Sequence, residues 1–156
     1  MKTLIKSLVF ALVLTACSTD NENLPANQNT DIETEALLIG KGDLFGNGDE
    51  QIPQQNLVID SEAEWETLQL QMNTTNPCTT GFTETAIDFN QWTVIAVFDA
   101  IRGNGGHSID IIEVVENETT ITVTVDKLLN GDMTLVMTQP FHIVKIPATN
   151  KPVVFE

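Results

Sequence analysis

Residues Ile121-Thr122-Val123-Thr124-Val125 alternate apolar and polar side chains without a break, and that period of two belongs to a β-strand with one buried and one wet face. The signal extends over the whole second half of the chain. From Ile87 onward the sequence reads as sheet, with Trp92 to Phe98 as an apolar strand. A glycine-rich turn, Arg102-Gly103-Asn104-Gly105-Gly106, leads into a strand from His107 to Val115. Ile109 and Ile111 alternate there before Ile112 and Val114 take over, a phase change that predicts a bulge. Asn130-Gly131-Asp132 has the chemistry of a hairpin turn. Leu135 to Thr138 and Phe141 to Ile146 would be the last strands, with Pro140 marking an edge or break between them.

Upstream, Ala36 to Ile39 predicts a strand and Leu57 to Ile59 another. The intervening Gly40 to Glu50 holds four glycines and several acids, which suggests a calcium loop, but the EF-hand spacing fails. With Asp43 as first ligand, Phe45 falls at the third position, and Gln54 stands at the twelfth, where a bidentate Glu is needed. A turn-rich loop is expected. Ser61-Glu62-Ala63-Glu64 is a capping box. Trp65, Leu68 and Met72 then form one apolar stripe on a helix of about three turns, with Trp65 as a core anchor. Asn73 to Thr85 reads as a connecting loop. Short spacings and a single principal amphipathic helix predict an α+β fold of mainly antiparallel sheet, a strongly curved sheet being one form it could take.

The opening residues obey different rules. Lys2 and Lys6 precede a short apolar run from Leu8 to Leu14, the pattern of a secretory signal peptide and too short for a bilayer-spanning helix of roughly 20 residues. Leu14-Thr15-Ala16-Cys17 resembles the lipobox of bacterial lipoproteins, which implies lipid on the Cys17 thiol and cleavage just before it. Two or three acyl chains give stable anchorage where one does not. Ser18 resembles an outer-membrane sorting residue, and the acidic Asp20 and Glu22 loosely resemble surface-export signals of some Bacteroidota lipoproteins, leaving periplasmic and surface-exposed placements both open. The expected organisation is a signal peptide over 1–16, a lipid-anchored flexible tether over 17–35, and one α+β domain over 36–156.

Maturation at Cys17 leaves 140 residues with 5 basic and 22 acidic side chains, a formal charge of −17. Such a field repels phosphate backbones and anionic lipid, which argues against nucleic-acid binding and places only the lipid in the membrane. With Cys17 lipidated, Cys78 has no partner for an intrachain disulfide, and its neighbours Pro77 and Thr79 supply no group to activate a thiolate. Two histidines and one usable cysteine make a structural zinc site improbable, and no cofactor motif is present.

Four segments resemble the PrcB-like family, named for the lipoprotein subunit of a spirochaete surface protease complex. Gly40 to Gly48 precedes the helix bearing Glu64-Trp65; Asp88-Phe89 enters the strand Thr93 to Phe98; Gly105-Gly106-His107-Ser108-Ile109 stands where the family has Gly-Gly-Tyr-Ser-Ile; and Thr138 to Pro147 matches a Pro-Tyr followed by a Val/Ile-rich strand ending in Pro. These span roughly residues 37 to 147, with His107 and Phe141 replacing two tyrosines and Leu128 to Asp132 replacing a Pro-Gly turn. The resemblance implies an accessory subunit that supports a partner protease, with no catalytic residues.

Asp99, Arg102, His107 and His142 are the residues best suited to acid–base work or anion recognition. His107 and Ser108 are adjacent, so on a strand they point to opposite faces and cannot form a nucleophile–base pair. No nucleophile elbow, zinc-protease helix or phosphate loop is present. The expected role is a non-catalytic protein-interaction or accessory module with an envelope partner. Its candidate surface comprises Arg102, Gly105, Gly106, His107, Ser108, Phe141 and His142. A protease inhibitor or small-ligand-binding domain is the alternative, and a hydrolase a more distant one.

Overall fold

The computed structural model describes residues 31–156, so the signal peptide, Cys17 and most of the expected tether lie outside the described residues. The fold is α+β and mainly sheet. The strongly curved sheet is not found: neither sheet curls, and the strands divide into two four-stranded sheets instead. One comprises β2 (Leu37–Leu44), β3 (Gln55–Ile59), β4 (Trp92–Phe98) and β7 (Gln139–Pro147), in the order β2-β7-β4-β3 and antiparallel throughout. The other comprises β1 (Ile32–Glu33), β5 (Asp110–Glu116), β6 (Ile121–Asp126) and β8 (Val153–Phe155), in the order β1-β5-β6-β8, with β6 and β8 parallel.

The β4/β7 pair is the spine, because both of its faces are covered. On one face Val94, Ala96, Phe98, Phe141 and Ile143 pack against the helix α1 (Glu62–Met72) through Trp65, Leu68 and Met72. On the other, Ile95, Val144 and Ile146 meet Val114, Ile121 and Val123 of the second sheet. A strand buried on both sides needs apolar residues at every position, which is why Val94 to Phe98 shows no alternation while Ile121 to Val125 does.

Trp65 is a core anchor; its indole Nε1 donates to the Thr85 carbonyl at 2.8 Å. Ser61 precedes the helix as expected, but its hydroxyl donates to Glu64 Oε2 at 2.7 Å and caps no backbone amide. The bulge falls between Ile111 and Glu113, where the change of phase placed it.

Several expectations are corrected. The glycine-rich segment is no loop at its start: β2 runs through Gly40-Lys41-Gly42-Asp43. Gly40 serves the packing, since the Phe82 ring occupies the space a side chain there would need. Pro140 marks no edge; it pairs with Asp43 near the start of the inner strand β7, and its carbonyl accepts from the Asp99 amide at 3.0 Å. Leu135 to Thr138 forms no strand, and His107 to Ile109 only approaches the sheet before β5 begins. Sheet pairing includes Ile32 and Glu33, inside the expected tether: both pair with β5, and the Thr34 amide donates to the Val114 carbonyl at 2.8 Å.

Candidate functional site

The cluster Asp99, Arg102, His107 and His142 is not one site. Asp99 and Arg102 do meet, just beyond β4. Asp99 is fully buried and accepts from Arg102 Nε at 2.8 Å and Nη2 at 2.5 Å, while Lys127 Nζ lies 2.7 Å from its other oxygen. Burial works to raise the Asp99 pKa, but the two cations outweigh it and hold the carboxyl below its ordinary value.

His142 belongs to a second group, between the sheets. Asp110 is bonded by Lys41, by Ser108 Oγ at 2.5 Å and by the Leu128 amide at 3.1 Å, and these outweigh burial to keep its pKa low. His142 Nδ1 accepts from the Ile111 amide at 2.9 Å, so the ring proton of the neutral form sits on Nε2. Burial, helped by the charge of Lys41, pushes His142 down to about 4 against the opposing pull of Asp110. His107 lies apart, with its Nε2 3.0 Å from Asn104 Oδ1. Each imidazole is thus engaged by an amide group, His142 by the Ile111 backbone and His107 by the Asn104 side chain.

The expected interaction surface is also redistributed. Phe141 is a core residue, its ring centroid 6.2 Å from that of Phe98 and 6.1 Å from that of Phe82. Gly105 and Ser108 are buried, whereas Arg102, His107 and His142 are half-buried and Gly106 is exposed. Arg102, Gly105, Gly106, His107 and Ser108 lie against the segment 127–138, whereas Phe141 and His142 do not.

The most exposed large apolar side chains lie on that segment, the loop 127–138. Met133 is 98% exposed and Leu135 95%, with Leu128, Leu129, Val136 and Met137 each about half exposed. Apolar residues so exposed belong to a loose loop unless polar contacts hold the backbone, and here they do. The Gly131 and Asp132 amides donate to the Gly106 and Gly105 carbonyls at 3.0 and 2.8 Å. Asn104 Nδ2 donates to the Asp132 carbonyl at 2.8 Å, and the Thr134 amide to Asp132 Oδ1 at 2.8 Å. At the far end Thr138 and Arg102 exchange backbone bonds of 3.1 and 2.7 Å; at the near end Leu129 donates to Ser108 Oγ at 3.0 Å and Lys127 pairs with Asp99. Gly131 adopts φ +96°, and the His107 ring fills the position of any side chain there, so glycine is required twice over.

In sequence this loop has the pattern of a hairpin turn followed by a strand, and the unalternating run Leu135-Val136-Met137 does not tell loop from buried strand.

All five basic side chains of the described residues are engaged in ion pairs: Arg102 and Lys127 with Asp99, Lys41 with Asp110, Lys145 with Glu84 and Lys151 with Glu116. The outward field is left to the carboxylates. Cys78 is half-buried beside the helix core, its thiol pushed up by burial and by the nearby Glu50 charge. Among the described residues no three His, Cys, Asp or Glu side chains gather as a metal site, and no helix is long and apolar enough to cross a membrane. Comparison with family models, curated proteins and solved structures finds no match for this chain.

Proposed function

We propose that this chain is an envelope lipoprotein, anchored through Cys17, whose domain is a non-catalytic module that docks a partner protein through loop 127–138. One observation carries the reading. Met133 and Leu135 stand almost fully exposed on a loop whose backbone is hydrogen-bonded at Gly131, Asp132 and Thr134 and again at Thr138. Ordered apolar surface of this kind favours a binding site, because docking recovers the hydrophobic free energy without a further cost of ordering the loop.

The partner's chemistry follows from charge. With every described cation engaged within the domain and −17 on the mature chain, the complementary surface is an apolar groove with a basic rim. The same charge disfavours anionic lipid as the loop's target. The resemblance to the PrcB-like family supports an accessory role beside a protease. A protease inhibitor is the second reading, favoured by the same pegged and exposed loop. The two differ in outcome: an inhibitor slows the protease and resists cleavage at the loop, whereas an accessory subunit leaves its activity intact or raises it.

The test is affinity isolation of cross-linked complexes from envelopes, comparing the wild type with Met133→Asp/Leu135→Asp and with Leu70→Asp, an exposed position on α1. The reading requires a partner that is lost in the double variant and retained in Leu70→Asp. Identical recovery in all three contradicts it. Unchanged membrane fractionation of Cys17→Ala would overturn the anchor separately.

A further inference from the structure

A second concave site lies on the open side of the sandwich, sharing no lining residue with loop 127–138. Here β1 covers only the last two residues of β5, and a cleft of about 660 Å3 opens between β5 and β2 onto the inter-sheet core. Val114 and Val144, both core residues, form its floor, and Leu38 and Ile112, each about half exposed, form apolar walls. The size is that of a small-ligand pocket.

Its charged groups are one-sided. Glu33, Glu35 and Glu113 stand around the mouth, and none of them is in an ion pair among the described residues. The one cation in the lining, Lys41, is already paired with Asp110. His142 lines the inner end as a neutral ring whose Nδ1 is engaged, leaving Nε2–H as a donor. An anion would meet three carboxylates, and a purely apolar molecule would leave them unanswered.

We propose that this cleft binds a cation carried on an apolar stem, an alkylammonium or alkylguanidinium group, with the stem on Val114 and Val144 and the charge among Glu33, Glu35 and Glu113. Two sources present that chemistry: a free polyamine, or a lysine or arginine side chain of an extended peptide. The cleft stands independently of the partner-docking loop.

The test is an NMR titration of the full chain in non-ionic detergent with spermidine, with the peptides Ala-Lys-Ala and Ala-Arg-Ala, and with 1-butanol as a neutral counterpart. Saturable shifts are expected at the Ile111 and Val114 amides and the His142 ring. The cationic probes should bind about tenfold tighter than butanol, the combined effect of three modest exposed pairings. Glu33→Gln/Glu35→Gln/Glu113→Gln should remove that advantage while leaving the spectrum of the α1 core unchanged. Tighter binding of spermidine assigns the free amine; tighter binding of the peptides assigns a presented side chain. Absence of saturable shifts with every probe, equal affinity for butanol, or unaltered affinity in the triple variant each overturns the proposal. Val144→Phe, which fills the floor, should abolish binding even where the carboxylates remain.

Discussion

The β4/β7 spine and loop 127–138 are both rich in large apolar side chains, yet they are held by opposite means. Along the spine, Val94 to Phe98 is enclosed between the helix and the second sheet, and packing fixes the backbone. In the loop, Met133 and Leu135 are left in water, and polar groups hold the backbone nearby: Asn104, the Asp132 side chain and Ser108, with the buried Asp99 pairing the Lys127 side chain. The difference separates two uses of hydrophobic surface. Removed from water at folding, it stabilises the domain; left in water on a rigid frame, it is available to another molecule.

The largest effect expected from this contrast is in the spine. Phe98→Ala should destabilise the domain by about 3–5 kcal/mol in denaturant unfolding, since it empties a fully buried site flanked by Phe141. A cost near zero would mean the spine is not the core.

Next comes the peg. Asp99→Ala leaves Arg102 and Lys127, both partly exposed, without their shared carboxylate, and a loss of about 2 kcal/mol is expected. Its signature is local, with faster hydrogen exchange at Gly131 and Asp132 than at β4. A uniform change across both regions would erase the distinction drawn between them.

Acid should act on the inter-sheet region before it acts on the peg. His142 is held near 4 in the folded protein and returns towards 6.5 on unfolding, so the unfolded chain binds the extra proton. Stability from this group is therefore complete above about pH 6.5 and is lost as pH falls towards 4. Asp99 and Asp110, both held below 3.8, lose their contribution only under that value. His142→Gln should flatten the upper part of the stability–pH curve, and an unchanged curve would show that the ring is not held neutral.

The smallest expected effect is in the loop's tip. Met133→Ser and Leu135→Ser should each change stability by no more than about 0.5 kcal/mol, because neither side chain is buried. A cost above 1 kcal/mol would place the tip with the core and remove the reason to assign it to a partner.

The sequence contained much of this contrast in local form. Trp65, Leu68 and Met72 have helical spacing, Ile121 to Val125 has strand spacing, and Ile112 breaks phase where the bulge lies. Each is a regularity within one element, and such regularities survive folding. What was illegible depends on contacts between distant residues. Phe141 looked like a surface aromatic beside a polar turn until Phe82 and Phe98 were seen to enclose it. Lys127 and Asp110, 28 and 69 positions from their respective partners Asp99 and Lys41, carry no pattern at all. Leu135-Val136-Met137 reads as readily as a strand as it does as a loop; the hydrogen bonds from Arg102 and Asn104 decide, and they arrive from a turn 28 or more residues earlier.

If loop 127–138 docks a specific protein, that protein lies within reach of its tip. A photo-crosslinking residue placed at Met133, and separately at Leu70 on the exposed face of α1, tests it in intact envelopes. One dominant protein adduct is expected from position 133 and none in common from position 70. The same adducts from both positions, or no protein adduct from position 133, would contradict it.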